Sequence, residues 1–342
     1  MKRQMEEICW KEVVWHRPFE LSTVYELLSH LASLIPCGPI IWETRGCNGQ
    51  IRYLLGAEQK HMRRIEDSFR AHGHIQFYDM PAQTRTAIAV AKRLKISHPA
   101  LSLKTDVALS SIRAGLAAMT VPLSNKETVM QIAFGPSFAP RPLPKELPDP
   151  HSSWLQLILG NVGPASTESR SAVRDKANQH GFCVTVRIGC SASDAKAYSR
   201  IYDILSALKT LEAAGVRISA ETEKAAKVNQ AHIPWHFPLR LSVKELAHFL
   251  LLPAGEEELA GTAGLHPKQL PPTAWYKSPT RSGYDRTFAV GIGTVNQVRL
   301  SISPKDSLEH TILLGPTGTG KSTAMLHLAL ADINAGRSVL LI

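Results

Sequence analysis

The residues best suited to chemistry form one glycine-rich stretch late in the sequence. Glycines at its fixed positions allow backbone conformations that a Cβ would forbid, so successive N–H groups can surround an anion where a helix begins. A lysine and a hydroxyl after the last glycine suit the β- and γ-phosphates and a magnesium ion. The stretch therefore predicts a site for ATP and Mg²⁺, with Lys321 on the phosphates and the Ser322 hydroxyl on the metal. It fits the spacing G-x-x-x-x-G-K-[ST] and comprises Gly315, Pro316, Thr317, Gly318, Thr319, Gly320, Lys321, Ser322 and the neighbouring hydroxyl residue Thr323.

The segments on either side of this stretch suit a phosphate site. Residues 311–314 are an apolar run typical of a buried parallel strand, and residues 324–335 carry apolar side chains at helical spacing. A further apolar run, 338–342, has no acidic residue after it. A P-loop ATPase also needs a later carboxylate and groups that stabilise the transition state. We therefore expect the chain to be the front part of a longer polypeptide, with the binding residues present, the catalytic residues unknown, and no ATP turnover at the rate of a motor.

Composition is that of a globular protein with a basic balance. The 342 residues are 44% hydrophobic and 20% charged, and 39 Lys and Arg against 29 Asp and Glu give a formal net charge of +10. Such an excess favours polyanionic partners such as DNA, RNA or acidic lipid, and it also serves solubility. Five scattered cysteines without a C-x-x-C pair favour a reducing cytoplasm. No apolar stretch is long and unbroken enough to cross a bilayer, so we expect no transmembrane segment.

The order of predicted elements divides the chain into five segments. The first has helix, hairpin, helix and strand, with Asn48-Gly49 as a typical hairpin turn, which favours a ferredoxin-like α+β domain. A dense run of prolines predicts a linker, and a second α/β unit follows that can pair with the first. Because no sequence repeat is clear, a duplicated fold is a hypothesis only. The segments are 1–135 (α+β domain), 136–165 (linker), 166–230 (second α/β unit), 231–286 (connecting segment) and 287–342 (a hairpin and the opening of a RecA-like P-loop domain).

From residue 241 onward the sequence resembles a known family. The segment Leu241–Ala247, Pro253 after it, Val290-Gly291 in a hairpin and the run His310–Ser322 resemble the HerA/FtsK superfamily of P-loop motors. They are most similar to the ATPases of bacterial conjugative DNA transfer and type IV secretion. The resemblance implies an α/β fold with a RecA-like core, a homo-hexameric ring, and ATP-driven movement of DNA or of secreted protein.

The same resemblance implies partners and a location. DNA would be bound without sequence preference, beside other components of the conjugation or secretion machinery, in the cytoplasm or peripherally at the inner face of the cell membrane. The family's Walker B strand and arginine finger would lie beyond residue 342. Two alternatives to a DNA motor stay open: a protein-secretion ATPase of the same machinery, and a scaffold that senses nucleotide without moving DNA.

Three weaker patterns have simpler interpretations. Gly291-Ile292-Gly293 lacks the third glycine of a dinucleotide fingerprint. His232 and His236 have Pro234 between them, which favours a surface or local structural role over metal binding. Two predicted helices have basic sides that suit a solvated face or contact with DNA phosphates. Their basic residues are Lys60, Arg63, Arg64 and Arg70 in one helix, and Arg170, Arg174 and Lys176 in the other.

Overall fold

The computed structural model shows two compact units, Met1–Pro267 and Lys268–Ile342. The residues that the structure describes are 8–15, 20–34, 38–73, 75–81, 84–106, 109–121, 126–144, 147–150, 158, 163–255, 259–262, 287–292, 297–301, 312–315 and 318–340.

The first unit is built on one sheet of nine antiparallel strands. Its order is β4-β1-β3-β2-β6-β7-β5-β8, and β9 pairs with β7. The mixed α/β class predicted from the sequence is confirmed. The strands are β1 Ile8–Trp15, β2 Ile40–Cys47, β3 Gln50–Glu58, β4 Ile75–Met80, β5 Val90–Ile96, β6 Glu127–Phe138, β7 Gly181–Cys190, β8 Ile218–Glu223 and β9 Leu239–Ser242. The helices are α1 Leu21–Ser33, α2 Gln59–Ala71, α3 Ser110–Thr120, α4 Thr167–Ala177, α5 Ala195–Lys209, α6 Ala225–Asn229 and α7 Val243–Phe249.

The two halves of this sheet have the same topology. The first half runs β1-α1-β2-β3-α2-β4 and the second β5-α3-β6-α4-β7-α5-β8, so the second has one additional helix, α4. In each half the strands lie in the order fourth, first, third, second. The halves meet at their second strands, β2 and β6, which pair from Ile40↔Phe134 to Cys47↔Glu127. The element order β-α-β-β-α-β is that of the ferredoxin-like motif. The topology therefore supports the hypothesis of a duplicated fold, although no sequence repeat reveals it.

The segments predicted as 1–135 and 166–230 contribute to this single sheet. Their strands β6 and β7 pair directly, from Thr128↔Cys190 onward. The connection between these two paired strands contains the proline-rich stretch and α4, and it occupies the place where the first half has the short turn Asn48-Gly49. That turn is tight because both residues have positive φ, 49° and 78°, as a two-residue hairpin requires. Proline cannot donate to a strand ladder, so the stretch after β6 leaves the sheet before the chain returns as β7.

Helices cover one face of the sheet and bury its apolar side chains. Trp42, Ile132 and Val186 are successive cross-strand partners on this face, and each is at most 1% exposed. Leu27 of α1 and Leu208 of α5 belong to the same buried cluster. Because side chains alternate along a strand, the next residue of each strand points to the opposite face.

That opposite face carries a row of polar side chains, here called the polar row. Its members are successive cross-strand partners on β2, β6, β7 and β5, namely Glu43, Gln131, Arg187 and Arg93. The first three are at most 1% exposed. The Gln131 amide donates to Glu43 Oε1 at 2.8 Å, and Arg187 donates to Gln131 Oε1 at 2.8 Å. The sheet therefore has one face that is apolar under helices and another on which a hydrogen-bonded polar row lies beside the smaller buried cluster of Trp10, Ile41 and Leu54. None of the helices in the described part of the chain is both long and apolar enough to span a membrane.

Candidate phosphate-binding site

The glycine-rich stretch lies in the second unit, directly before a helix. This unit contains β10 Thr287–Ile292, β11 Gln297–Ser301 and α8 Lys321–Asn334. The two strands form the antiparallel hairpin that the sequence predicts, and α8 lies beside β10. The predicted helix over 324–335 is therefore present and begins three residues earlier.

Two glycines of the stretch have backbone conformations that other residues rarely adopt. Gly318 has φ +84°, and Gly320, the residue before α8, has φ +81° and ψ 17°. Both values are left-handed and carry no Cβ penalty in glycine. The helix starts at once, since the Ala324 N–H donates to the Gly320 carbonyl at 2.9 Å. The first N–H groups of a helix have no acceptor within it and lie at its positive end, so an anion is stabilised there.

The lysine of the motif closes the loop. Lys321 Nζ donates to the Gly315 carbonyl oxygen at 2.8 Å, which joins the first glycine of the stretch to the start of α8. Gly315 also lies against Thr319, because a Cβ added to Gly315 would be 2.8 Å from Thr319 Oγ1. The ammonium is therefore held across the loop, next to the beginning of the helix, where the motif predicts a cation beside phosphate.

The remaining predicted site residues fall into two groups. Ser322 and Thr323 lie in the first turn of α8 and are exposed. Pro316 and Thr317 lie outside the described residues. The structure thus brings Gly315, Thr319 and Lys321 together and places the two hydroxyls directly after them.

The strands predicted beside the loop do not form in the described parts of these runs, so this prediction is wrong there. Residues 312–315 and 337–340 have no strand conformation, and Leu314 and Leu340 are 89% and 83% exposed. A strand requires neighbours for its N–H and C=O groups. In the described part of this unit, β10 and β11 pair with each other and not with these runs.

Helix α8 also differs from its expected environment. Met325 and Ile333, which the spacing places on an apolar face, are 53% and 56% exposed. Ala329 is buried, whereas Leu326 and Leu330 are 54% and 46% exposed. The helical periodicity of the sequence predicted the helix correctly, but four of its large apolar side chains stay exposed among the described elements.

One of the residues assigned to a basic helix side is buried. Lys176 is 5% exposed, with Nζ 3.1 Å from Glu245 Oε2 and a hydrogen bond of 3.1 Å to the Leu101 carbonyl. Burial lowers its pKa, and Glu245 acts in the opposite direction. The prediction that Lys176 belongs to an exposed basic face is wrong, because sequence alone did not show that α4 packs beside α7. On α2, by contrast, Arg63 and Arg64 are exposed.

The polar row and the arginines around it were not among the residues predicted from the sequence to have a function. A signal was present, since Glu43 and Arg45 stand at alternate positions of an otherwise apolar strand. The Arg45 Nε donates to Glu43 Oε2 at 2.7 Å, and Arg85 also pairs with this carboxylate. The backbone of His232 takes part as well, because its carbonyl accepts a hydrogen bond of 2.7 Å from Arg187. This contact gives the segment containing His232 and His236 a structural role.

Comparison with protein-family models gives no match for this chain, and comparison with curated proteins gives none either.

Proposed function

We propose that the protein binds ATP with Mg²⁺ at residues 315–323 as part of a motor ATPase that moves DNA. The observation that carries the nucleotide site is a pair of left-handed glycines, Gly318 and Gly320, followed at once by a helix that begins with Lys321. This backbone leaves N–H groups at a positive helix end, which is the arrangement that favours phosphate.

Each site residue has a definite part in this proposal. Lys321 contacts the β- and γ-phosphates, since its ammonium already lies across the loop next to Gly315. Ser322, exposed in the first helical turn, offers its hydroxyl to Mg²⁺. The metal neutralises phosphate charge and bridges the phosphate oxygens. The DNA-moving role and the RecA-like core rest on the resemblance to HerA/FtsK motors and on the net charge of +10.

The direct test is an ATP titration of the whole chain by calorimetry, with Mg²⁺ present. Lys321→Ala removes the phosphate-facing cation, so we expect the affinity to fall by at least about tenfold, the size of one lost charge-assisted contact. Lys60→Ala is the matched control, because Lys60 is an exposed lysine of α2 that pairs with Glu58 at 3.1 Å. Equal ATP affinities for the wild type and Lys321→Ala would overturn the assignment.

A second measurement separates a motor from a nucleotide-sensing scaffold. A motor couples nucleotide to DNA, so Mg·ATP should change the affinity for DNA, and DNA should change the affinity for ATP by the same factor. Lys321→Ala should remove this coupling. ATP binding with no effect on DNA affinity would favour the scaffold.

A further inference from the structure

A loop on the polar face of the sheet presents a fully exposed tryptophan. Residues 231–238, here called the tryptophan loop, connect α6 to β9, and Trp235 at their centre is 104% exposed. We propose that this loop binds single-stranded nucleic acid, with the Trp235 indole stacked on a base. The proposal goes beyond nucleotide binding at residues 315–323 and does not depend on it.

The tryptophan loop is anchored on both sides of Trp235. On one side, Ile233 packs against the buried cluster of Trp10, Ile41 and Leu54. On the other side, the Phe237 ring lies on Gly135, so closely that a Cβ there would be 2.4 Å from the ring. Because both anchors pack on the sheet, they fix the backbone on either side of Trp235, so a ligand that stacks on the indole orders little additional backbone.

The surroundings of Trp235 are cationic. Residues 224–240 contain Lys224, Lys227 and Arg240 and no Asp or Glu. Lys227 pairs with Glu223 at 2.8 Å, so Lys224 and Arg240 supply the positive charge that this segment offers to a ligand. The Arg240 guanidinium lies on the ring of Phe138, 4.2 Å from its centroid, and remains half-exposed. In the pairing of β9 with β7, Arg240 lies opposite Cys183, just after the end of the tryptophan loop. An exposed aromatic ring and a fixed positive charge in one short segment match the two needs of single-stranded nucleic acid, base stacking and phosphate neutralisation.

The same residues fit other partners less well. Between residues 224 and 240, all of which the structure describes, Trp235 is the one exposed large apolar side chain. A lipid surface or an apolar protein interface requires a patch of several such side chains. Base stacking requires one aromatic ring, and it tolerates any sequence because every base has a π-face.

The test uses the whole chain without nucleotide and a labelled oligothymidylate of about 12 nucleotides. Fluorescence anisotropy should show binding, and Trp235→Ala should weaken it about tenfold, the worth of one stacked base. Tyr202→Ala is the matched control, because Tyr202 is 51% exposed on α5, at the helical face of the sheet. Arg240→Gln should reduce the magnitude of the slope of log K against the logarithm of the salt concentration by about one.

Two further readouts make the result decisive. Tryptophan emission should be quenched by the oligonucleotide in the wild type, and that change should be lost in Trp235→Phe. Lys321→Ala should bind the oligonucleotide as the wild type does, which separates this surface from the ATP site. The proposal is overturned if the oligonucleotide does not bind or binds Trp235→Ala equally well. It is also overturned if only phosphatidylglycerol vesicles shift the tryptophan emission. Because Trp235 is fully exposed, its substitution should not alter the urea unfolding midpoint.

Discussion

The two units of the chain differ in how deeply their side chains are buried and in where the recognisable motif lies. In the first unit, large side chains such as Trp42 and Arg45 are almost fully buried, and even charged groups are enclosed by partners. In the second unit, α8 buries only Ala329 of its 14 residues among the described elements, yet this unit carries the motif with the clearest chemistry. A phosphate site needs a few residues in special backbone conformations, whereas a sheet needs matched side chains along its whole length. Substitutions should therefore destabilise the protein more when they lie in the first unit than when they lie on α8.

The largest effect is expected at Glu43. This carboxylate is 0% exposed and contacts Arg45, Arg85 and Gln131. Glu43→Gln removes the charge, so Arg85 loses the carboxylate it pairs with and Arg45 keeps only its pair with Glu127. This should lower the free energy of unfolding by about 3–5 kcal/mol. Urea unfolding followed by tryptophan fluorescence measures the change. Asp203→Asn is the control, because Asp203 pairs with Arg200 at 3.0 Å on the surface of α5, where a loss within about 1 kcal/mol is expected. Equal losses in the two variants would contradict the comparison.

The acid dependence of stability should change in the same variant. Burial raises the pKa of Glu43, but the charges of Arg45 and Arg85 outweigh burial and hold it below the ordinary value of 4.5. A lowered pKa in the folded state contributes stability above the unfolded pKa, and this contribution is lost as the pH falls through the folded value. The wild type should thus lose more stability than Glu43→Gln below about pH 4.5. Parallel stability curves for the two proteins would rule out this role.

An intermediate effect is expected at Gly46. A Cβ on this residue of β2 would lie 2.3 Å from the Met119 carbonyl oxygen of α3. Gly46→Ala must displace that helix, so we expect a loss of about 1–3 kcal/mol in urea unfolding. Gly73→Ala is the matched control, since the nearest atom to its Cβ would be Ile75 Cγ1 at 3.7 Å. A smaller loss for Gly46→Ala than for Gly73→Ala would show that α3 approaches β2 less closely.

Local features of the fold could be predicted from the sequence, whereas partners distant along the chain could not. The Asn48-Gly49 turn and the helix after Gly320 depend on residues close together in the sequence, and both are present. The pairing of β2 with β6 joins residues that are 80 to 94 positions apart, so neither the single sheet nor the polar row could be derived from periodicity. Burial of Lys176 beside Glu245 was missed for the same reason.

The candidate site shows the same limit. Its glycines, lysine and hydroxyls were identified from spacing alone, because the motif is continuous in the sequence. The apolar run before it predicted a strand that is absent from residues 312–314. Apolar composition indicates which side chains favour burial, but a strand forms only where other strands supply hydrogen bonds.

The smallest effect is expected on α8, and it tests the comparison most directly. Leu326 is 54% exposed on α8, whereas Leu208 is 0% exposed on α5, so the same substitution samples both units. Leu208→Ala removes buried methyl groups and leaves a cavity, which should cost about 2–5 kcal/mol. Leu326→Ala removes little buried surface and gains helix propensity, so its effect should stay within about 0.5 kcal/mol. Hydrogen exchange of the α8 amides reports on the second unit, and urea unfolding of the whole chain is measured alongside it.

A large loss of α8 protection in Leu326→Ala that grows as the protein is diluted would contradict this expectation. It would mean that another copy of the chain covers this apolar face in solution. The contrast between the units would then hold for the single chain but not for the assembled protein.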